Sequence, residues 1–327
     1  MSAVQPIRVA FAGLAHSHPF SDAANLVALR ERGEHVEFAG VYDTDETLVA
    51  SFAKRFGCPV ASDLATLCAA EPDLVIVTAR PHETAPYVRQ LLSDTGAKLF
   101  ANKVVAGTTE QLREWEAAVA SAPERVGSCS VLRFAPALRE LASRVTGSEI
   151  WGVRVLAQHD IEMFLAPDRA WQDDPSRGGG TLVTAGLHAW EMIGAVLPGA
   201  ALDGDVAGWI HRSPNAATVS EEAAQLAGAL RLPAGGATPF AITVTGTPGP
   251  EVYAIDVFTS TGTLSVSLTF PHPSDSLGFV ELAEALLTNT RARVATAPWE
   301  SARPVVTNTL RAAQALRAAH HTEMSQR

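Results

Sequence analysis

Residues 7–43 read IRVAFAGLAHSHPFSDAANLVALRERGEHVEFAGVYD, and their order decides the fold. Residues 7–12, IRVAFA, form a short apolar run that stops at Gly13, the pattern of a buried parallel strand entering a tight turn. Pro19 and residues 21–30 follow, with Ala24, Leu26, Val27 and Leu29 at helical spacing and Gly33 as the stop. Residues 36–42 read as a second strand, with Asp43 at its C-terminal end. Strand, glycine turn, helix, strand, acid is the layout of a dinucleotide-binding half.

The physical requirement is specific. A pyrophosphate is held by backbone N–H groups and by the positive end of a helix dipole. Gly13 lets the chain turn sharply, and an Asp43 carboxylate can accept the ribose hydroxyls of an adenosine. The usual G-x-G-x-x-G stands here as Gly13-Leu14-Ala15-His16-Ser17-His18, so only the first glycine is kept. Ala15 is small enough for close phosphate approach. His16 or Ser17 is expected to donate to the pyrophosphate where glycines are missing. His18 is large and is expected to push the helix off the strand. Asp43 also lies beyond the usual spacing of about 20 residues, and it competes with a plainer reading as the cap of the next helix. Asp43, Asp45 and Glu46 favour NAD over NADP, because a 2′-phosphate would meet three carboxylates and no arginine.

Composition bounds the rest. The chain has 327 residues, enough for two domains, and is 47% hydrophobic and 18% charged, enough to bury a large core. Its formal net charge of −10 gives no electrostatic reason to hold nucleic acid or an anionic membrane. Cys58, Cys68 and Cys129 lack paired spacing and fit a reducing compartment. No apolar run reaches the roughly 18 residues of a spanning helix, and MSAVQPIRV has no signal-peptide core. A cytoplasmic location is the expectation.

Downstream of Asp43, helix candidates (46–56, 62–69, 81–92, 108–120) alternate with strand candidates (73–78, 97–102, 126–132), which argues for a doubly wound parallel sheet. The pattern then changes. Helix is expected over 136–145 and 178–196, and strand over 150–159. Five strand-like runs follow: DVAGWIH, AAQLAGALRL, PFAITVTG, VYAIDVFTS and GTLSVSLTF. Strands joined so closely are expected to be antiparallel. Helices over 277–288 and 298–319 finish the chain. The fold class is therefore α/β: a Rossmann-like NAD-binding domain over residues 1–125, then an α+β domain over 126–327 with an open, mostly antiparallel sheet. An open sheet has a face to cover, so a homodimer or homotetramer through that sheet is expected.

Three segments together resemble the glucose–fructose oxidoreductase, inositol dehydrogenase and MocA (Gfo/Idh/MocA) family. The first is the opening unit with Asp43. The second is KLFANKVVAG, where the family has a strand running into E-K-P and this chain has Asn102-Lys103-Val104. The third is GGGTLVTAGLHAWE, where the family has D-x-G-x-H-x-x-D. Gly186 and His188 are in place there, Thr184 stands at the aspartate, and Glu191 replaces the last acid. Arg133-Phe134 with Pro136, Gly152, and the helix opened by Pro298 and Glu300 also resemble the family.

The resemblance implies hydride exchange between a nicotinamide and a sugar or polyol carbon. A base must take the hydroxyl proton, and a cation should steady the oxygen. It makes His188 the base and Lys103 the hydrogen-bond donor to the reacting oxygen. Taken alone, Lys103 reads as a surface lysine and His188 as a core or capped histidine. Thr78, Arg80 and His82, at and after the strand DLVIVT, lie where the family contacts cofactor. Arg133, Trp171 and Thr184 join Lys103 and His188 as candidate substrate contacts, Trp171 being either a sugar platform or a loop anchor. Val104 for proline leaves the backbone after Lys103 less rigid, and Asn102 for glutamate removes a charge near the nicotinamide. Loss of the aspartate at Thr184 leaves open a non-catalytic NAD-binding protein. His16 and His18, two apart on an extended chain, admit a metal-dependent hydrolase as a further alternative.

Overall fold

The computed structural model describes residues 5–247, 249–271 and 276–325. The leader reading of the N-terminus falls partly on residues 1–4, outside the described residues. The chain divides into two compact units. The first takes the described residues up to Ala106, then Glu110–Cys129 and Phe279–Glu300; the second takes Gly107–Thr109, Ser130–Gly278 and the chain from Ser301 on.

In the first unit, β1 (Ile7–Ala12) is almost wholly buried and ends at Gly13. Helix α1 (His18–Glu31) opens with Pro19 in its first turn. It buries a stripe of Pro19, Asp22, Ala23, Leu26 and Leu29. Strand β2 (Val36–Tyr42) follows. Helix α2 (Glu46–Phe56) is capped by Asp45, which accepts from the Thr47 and Leu48 amides, and is closed by Gly57 at φ 64°. Helix α3 (Leu64–Ala69) is capped by Asp63. Next come β3 (Leu74–Val77), α4 (Pro81–Asp94), β4 (Lys98–Asn102), α5 (Thr109–Val119) and β5 (Val126–Cys129). The sheet order is β2-β1-β3-β4-β5. Every pair is parallel, so the sheet is doubly wound with its switch point between β1 and β3.

The second unit holds α6 (Pro136–Val145) and β6 (Ile150–His159), both at the expected bounds. The helix expected over 178–196 is two helices, α7 (Gly180–Thr184) and α8 (Gly186–Val196), with the break at Ala185. The five expected strands are β7 (Ala201–His211), β8 (Ala223–Arg231), β9 (Ala237–Gly246), β10 (Glu251–Thr259) and β11 (Gly262–Phe270). Their sheet has the order β11-β10-β6-β9-β8-β7. Strands β9 and β10 are close in sequence but do not pair: β6 lies between them, antiparallel to β10 and parallel to β9. One face is covered by α8, whose residues are nearly all buried. Along β7 and β11 the other face is exposed.

Two helices close the chain, α9 (Phe279–Arg291) and α10 (Trp299–Ser325). Here the contacts differ from a cut after residue 125. Strand β5 is the edge strand of the first unit's sheet, and the segment Phe279–Glu300 comes back to it. Helix α9 packs on α1. Trp299 meets the fully buried Trp115 of α5 edge-on at 5.4 Å between centroids. Gly127 of β5 bridges Pro298, and the Ser128 amide donates to the Ala297 carbonyl at 2.9 Å.

Candidate functional site

The cofactor candidates follow the carboxyl ends of β1, β2 and β3. Gly13 sits at φ +89°, and a Cβ there would lie 2.6 Å from the Thr78 carbonyl oxygen, so only glycine fits. Three successive amides tie the turn to the sheet. Gly13 donates to the Tyr42 carbonyl at 2.7 Å and Ala15 to the Thr78 carbonyl at 2.9 Å. Between them, the Leu14 amide donates to Asp43 Oδ2. The other Asp43 oxygen accepts from the Asp45 amide at 2.8 Å. Asp45, not Asp43, caps α2. The Asp43 carboxylate is thus fixed against the glycine turn at the end of β2, the place a ribose contact requires.

Helix α1 has no side-chain cap at Ser17 and no acidic residue in its first turn. Elsewhere in this unit α2, α4, α5 and α9 carry a glutamate there, and α3 has its Asp63 cap. With neither a cap nor an acid there, the positive end of the α1 dipole is not offset by a side chain of its own first turn.

The two histidines of the turn are placed otherwise than expected. His16 is buried, with Nε2 3.1 Å from the Lys103 carbonyl oxygen and Nδ1 3.3 Å from the His18 amide. A carbonyl only accepts, so His16 carries its proton on Nε2 and accepts at Nδ1. Both ring nitrogens are engaged, and Ser17 between the two histidines is exposed. His18 is packed between two rings. Its ring lies edge-on to His16 at 4.6 Å and to Phe279 of α9 at 5.5 Å. Among the described residues, no group of three or more His, Cys, Asp or Glu side chains could hold a metal ion.

Lys103 follows β4 and is 8% exposed, which sets it apart from a surface lysine. The Lys103–Val104 peptide is cis, and Val104 is buried. Asn102, just before it, donates from Nδ2 to Asp22 Oδ2 and to Thr78 Oγ1, both at 2.9 Å. Asp22 is missing from the sequence-based candidates. Its signal was available: it shares the buried α1 stripe with Leu26 and Leu29. Arg80 and His82 flank the start of α4, where both meet the Glu83 carboxylate, at 3.3 and 3.7 Å.

Burial pushes the Asp22 carboxyl up to about 7, with the Asn102 bond pulling the other way. The unfolded value is about 3.9. Between about pH 4 and 7 the unfolded chain has therefore lost a proton that the folded chain keeps. Stability must fall as pH rises through that window and level off above it. Asp22→Asn removes the titration. Urea unfolding of parent and variant is expected to show their difference moving on the order of 3 kcal/mol in the variant's favour across the window. A difference that stays constant with pH would refute the assignment.

In the second unit, His188 is 3% exposed on α8, and its Nδ1 lies 2.7 Å from Ser130 Oγ. Ser130 is itself held: its amide donates to Glu191 Oε2 at 2.8 Å. The other Glu191 oxygen pairs with Arg133 Nε, and Arg133 Nη1 donates to Ser301 Oγ at 2.8 Å. Tyr253 of β10 and His159 of β6 face the same imidazole, with centroids 4.9 and 5.5 Å away. Tyr253 bonds His159 Nδ1 at 2.7 Å and donates to Glu251 at 2.9 Å. Burial first, then the Glu251 charge, raises its phenol well above the usual range. Ser130, Tyr253 and Glu251 escaped sequence reading, because single polar residues on strand ends carry no periodic mark.

Thr184 is fully buried and its hydroxyl donates to the Gly180 carbonyl at 2.8 Å, within its own helix. Trp171 is 4% exposed. A Cβ on Gly178 would lie 2.3 Å from the Trp171 carbonyl oxygen. Glu191 is 1% exposed and serves two donors at once. Glu191→Ala is expected to cost about 3 kcal/mol in a denaturant titration, because a half-buried cation and a buried amide lose their acceptor. A loss below about 1 kcal/mol would show that the pair adds little.

Residues 7–130 match the family model GFO_IDH_MocA, described as "Oxidoreductase family, NAD-binding Rossmann fold". The N-terminal domain belongs to the Gfo/Idh/MocA family. The match ends where β5 ends, and it makes this an NAD-binding domain of an oxidoreductase family. No curated protein matches the sequence.

Solved structures extend the likeness of this chain, in fold alone, over nearly its whole length. GenD2 from gentamicin A biosynthesis, in complex with NAD, is 20% identical, with a TM-score of 0.76 over 97% of this chain and 96% of that one. A myo-inositol dehydrogenase from Corynebacterium glutamicum is 12% identical, with a TM-score of 0.76 over 96% and 97%. A D-galactose-1-dehydrogenase from Rhizobium etli is 15% identical, with a TM-score of 0.69 over 94% and 96%.

Proposed function

We propose that this chain is an NAD-dependent oxidoreductase acting on the CH–OH group of a sugar, polyol or related hydroxy compound. The observation that carries the reading is the buried His188 imidazole, fixed through Nδ1 by Ser130. The bound cofactor would accept or return the hydride. Everything else falls to side chains. With its proton on Nδ1 and donated to Ser130 Oγ, His188 presents a lone pair at Nε2 for the substrate hydroxyl proton. The Lys103 ammonium would donate to the same oxygen as negative charge grows there. Asp43 would take the adenosine ribose, and Ser17 with the α1 N-terminus the diphosphate. Ala15, Thr78, Arg80 and His82 would line the cofactor's path. Arg133, tied to Glu191, would position Ser130 and so the imidazole.

The substrate class rests on the activities for which the inositol and galactose dehydrogenases are named. A homodimer or homotetramer would use the exposed face of the second sheet, where Trp209 is 72% exposed. Sedimentation of the purified protein tests that. A cytoplasmic location suits three buried cysteines. No described helix is long and apolar enough to cross a membrane.

A second reading, a non-catalytic NAD-binding protein, is favoured by one observation. Thr184 brings no charge, and its hydroxyl is turned back into its own helix. Incubation with NAD and a panel of sugars and polyols separates the two. Growth of NADH absorbance that is lost in Lys103→Ala and His188→Ala supports the enzyme. NAD binding without turnover on any compound supports the second reading.

A further inference from the structure

We propose that Asp22 supplies, from helix α1, the negative charge that Asn102 removes from the end of β4, and that this charge favours the oxidised over the reduced nicotinamide cofactor. The inference rests on the NAD reading above. Asp22 is 2% exposed, on a stripe otherwise made of Pro19, Ala23, Leu26 and Leu29. A carboxylate in such a setting is costly unless something else uses it.

The Asn102 amide explains half of the arrangement. Its Nδ2 has two hydrogens, and two acceptors are in reach: Asp22 Oδ2 and Thr78 Oγ1, each at 2.9 Å. The glutamate that the E-K-P resemblance puts at this position would set a second carboxylate against Asp22. Like charges that close cannot both stay ionised. The amide at 102 and the acid at 22 are therefore a matched pair. The carboxylate stands on the helix and the amide on the strand, one hydrogen bond apart.

The place of the pair gives the other half. Thr78 follows β3, Asn102 ends β4, and Lys103 comes next. These are the carboxyl ends beside the β1/β3 switch point, where a doubly wound sheet takes its dinucleotide. The oxidised nicotinamide ring is a cation and the reduced ring is neutral. A carboxylate held in a buried, weakly screened setting attracts only the first.

Binding of NAD⁺ and of NADH, each measured by calorimetry at about pH 8.5 where Asp22 is ionised, tests this without turnover. Asp22→Asn is expected to weaken NAD⁺ about tenfold and to leave NADH within about twofold. The double variant Asp22→Asn with Asn102→Asp returns a carboxylate to β4, still facing an amide. It is expected to bring NAD⁺ affinity back to within about threefold of the parent. Equal weakening of both forms in the single variant would make Asp22 merely structural and overturn the proposal, as would no change in either. Failure of the double variant to recover NAD⁺ would overturn the charge-transfer argument. A parent protein that binds neither form would overturn the cofactor reading itself, and this inference with it.

Discussion

Lys103→Ala is expected to lower kcat/KM on whichever polyol the panel identifies by about a thousandfold, with NAD affinity within about threefold of the parent. The size follows from what is removed. A buried ammonium donating to an oxygen that gains charge only in the transition state acts selectively on the rate. The variant keeps the backbone carbonyl that receives His16 Nε2–H, so the glycine turn retains its support. Stopped-flow NADH formation and cofactor titration read the two effects separately. Lys103→Arg should not rescue, since a planar guanidinium cannot occupy the volume of an ammonium at an 8% exposed site. A variant that loses cofactor binding and turnover together would place the lysine in cofactor retention instead.

Gly127→Val is expected to have the largest effect on the fold. Even a single Cβ at this position of β5 would lie 1.8 Å from the Thr296 carbonyl oxygen and 2.8 Å from that of Ala297. The obstacle is backbone, so no rotamer change relieves it. Strand and returning segment must part. The Ser128 to Ala297 hydrogen bond is then lost, and so is the seat of Trp299 against Trp115. About 4 kcal/mol or more of unfolding free energy should go with them. Limited proteolysis should find a new cleavage near residues 296–298. A Gly127→Val protein within about 1 kcal/mol of the parent in urea would show that the strand end yields easily.

Much of this architecture is legible in the sequence because its signals are local. Apolar runs such as IRVAFA, the caps Asp45 and Asp63, and Gly57 each act within one turn of chain. Helix α6 and strand β6 stand at their expected bounds for the same reason. Long-range choices are not local. Nothing in residues 237–259 announces that β6 will separate β9 from β10. Nothing near Phe279 announces that it will cover His18, so a histidine that looked disruptive is in fact packed.

The site divides along the same line. Gly13 and Asp43 could be read directly, because each owes its role to its neighbours along the chain. His188 and Lys103 came through resemblance. Ser130, Tyr253 and Asp22 act through partners 58, 94 and 80 residues away, respectively, a separation that no spacing rule spans.

The return of Phe279–Glu300 to the first sheet also bears on how the molecule is made. A nascent chain that has left the ribosome only as far as Cys129 holds all five parallel strands but lacks the cover for α1 and the partner of β5. That partner emerges roughly ten to thirty seconds later at ordinary elongation rates. Until then the dinucleotide half stays unfinished at its far edge, open to chaperones and to premature association with other copies.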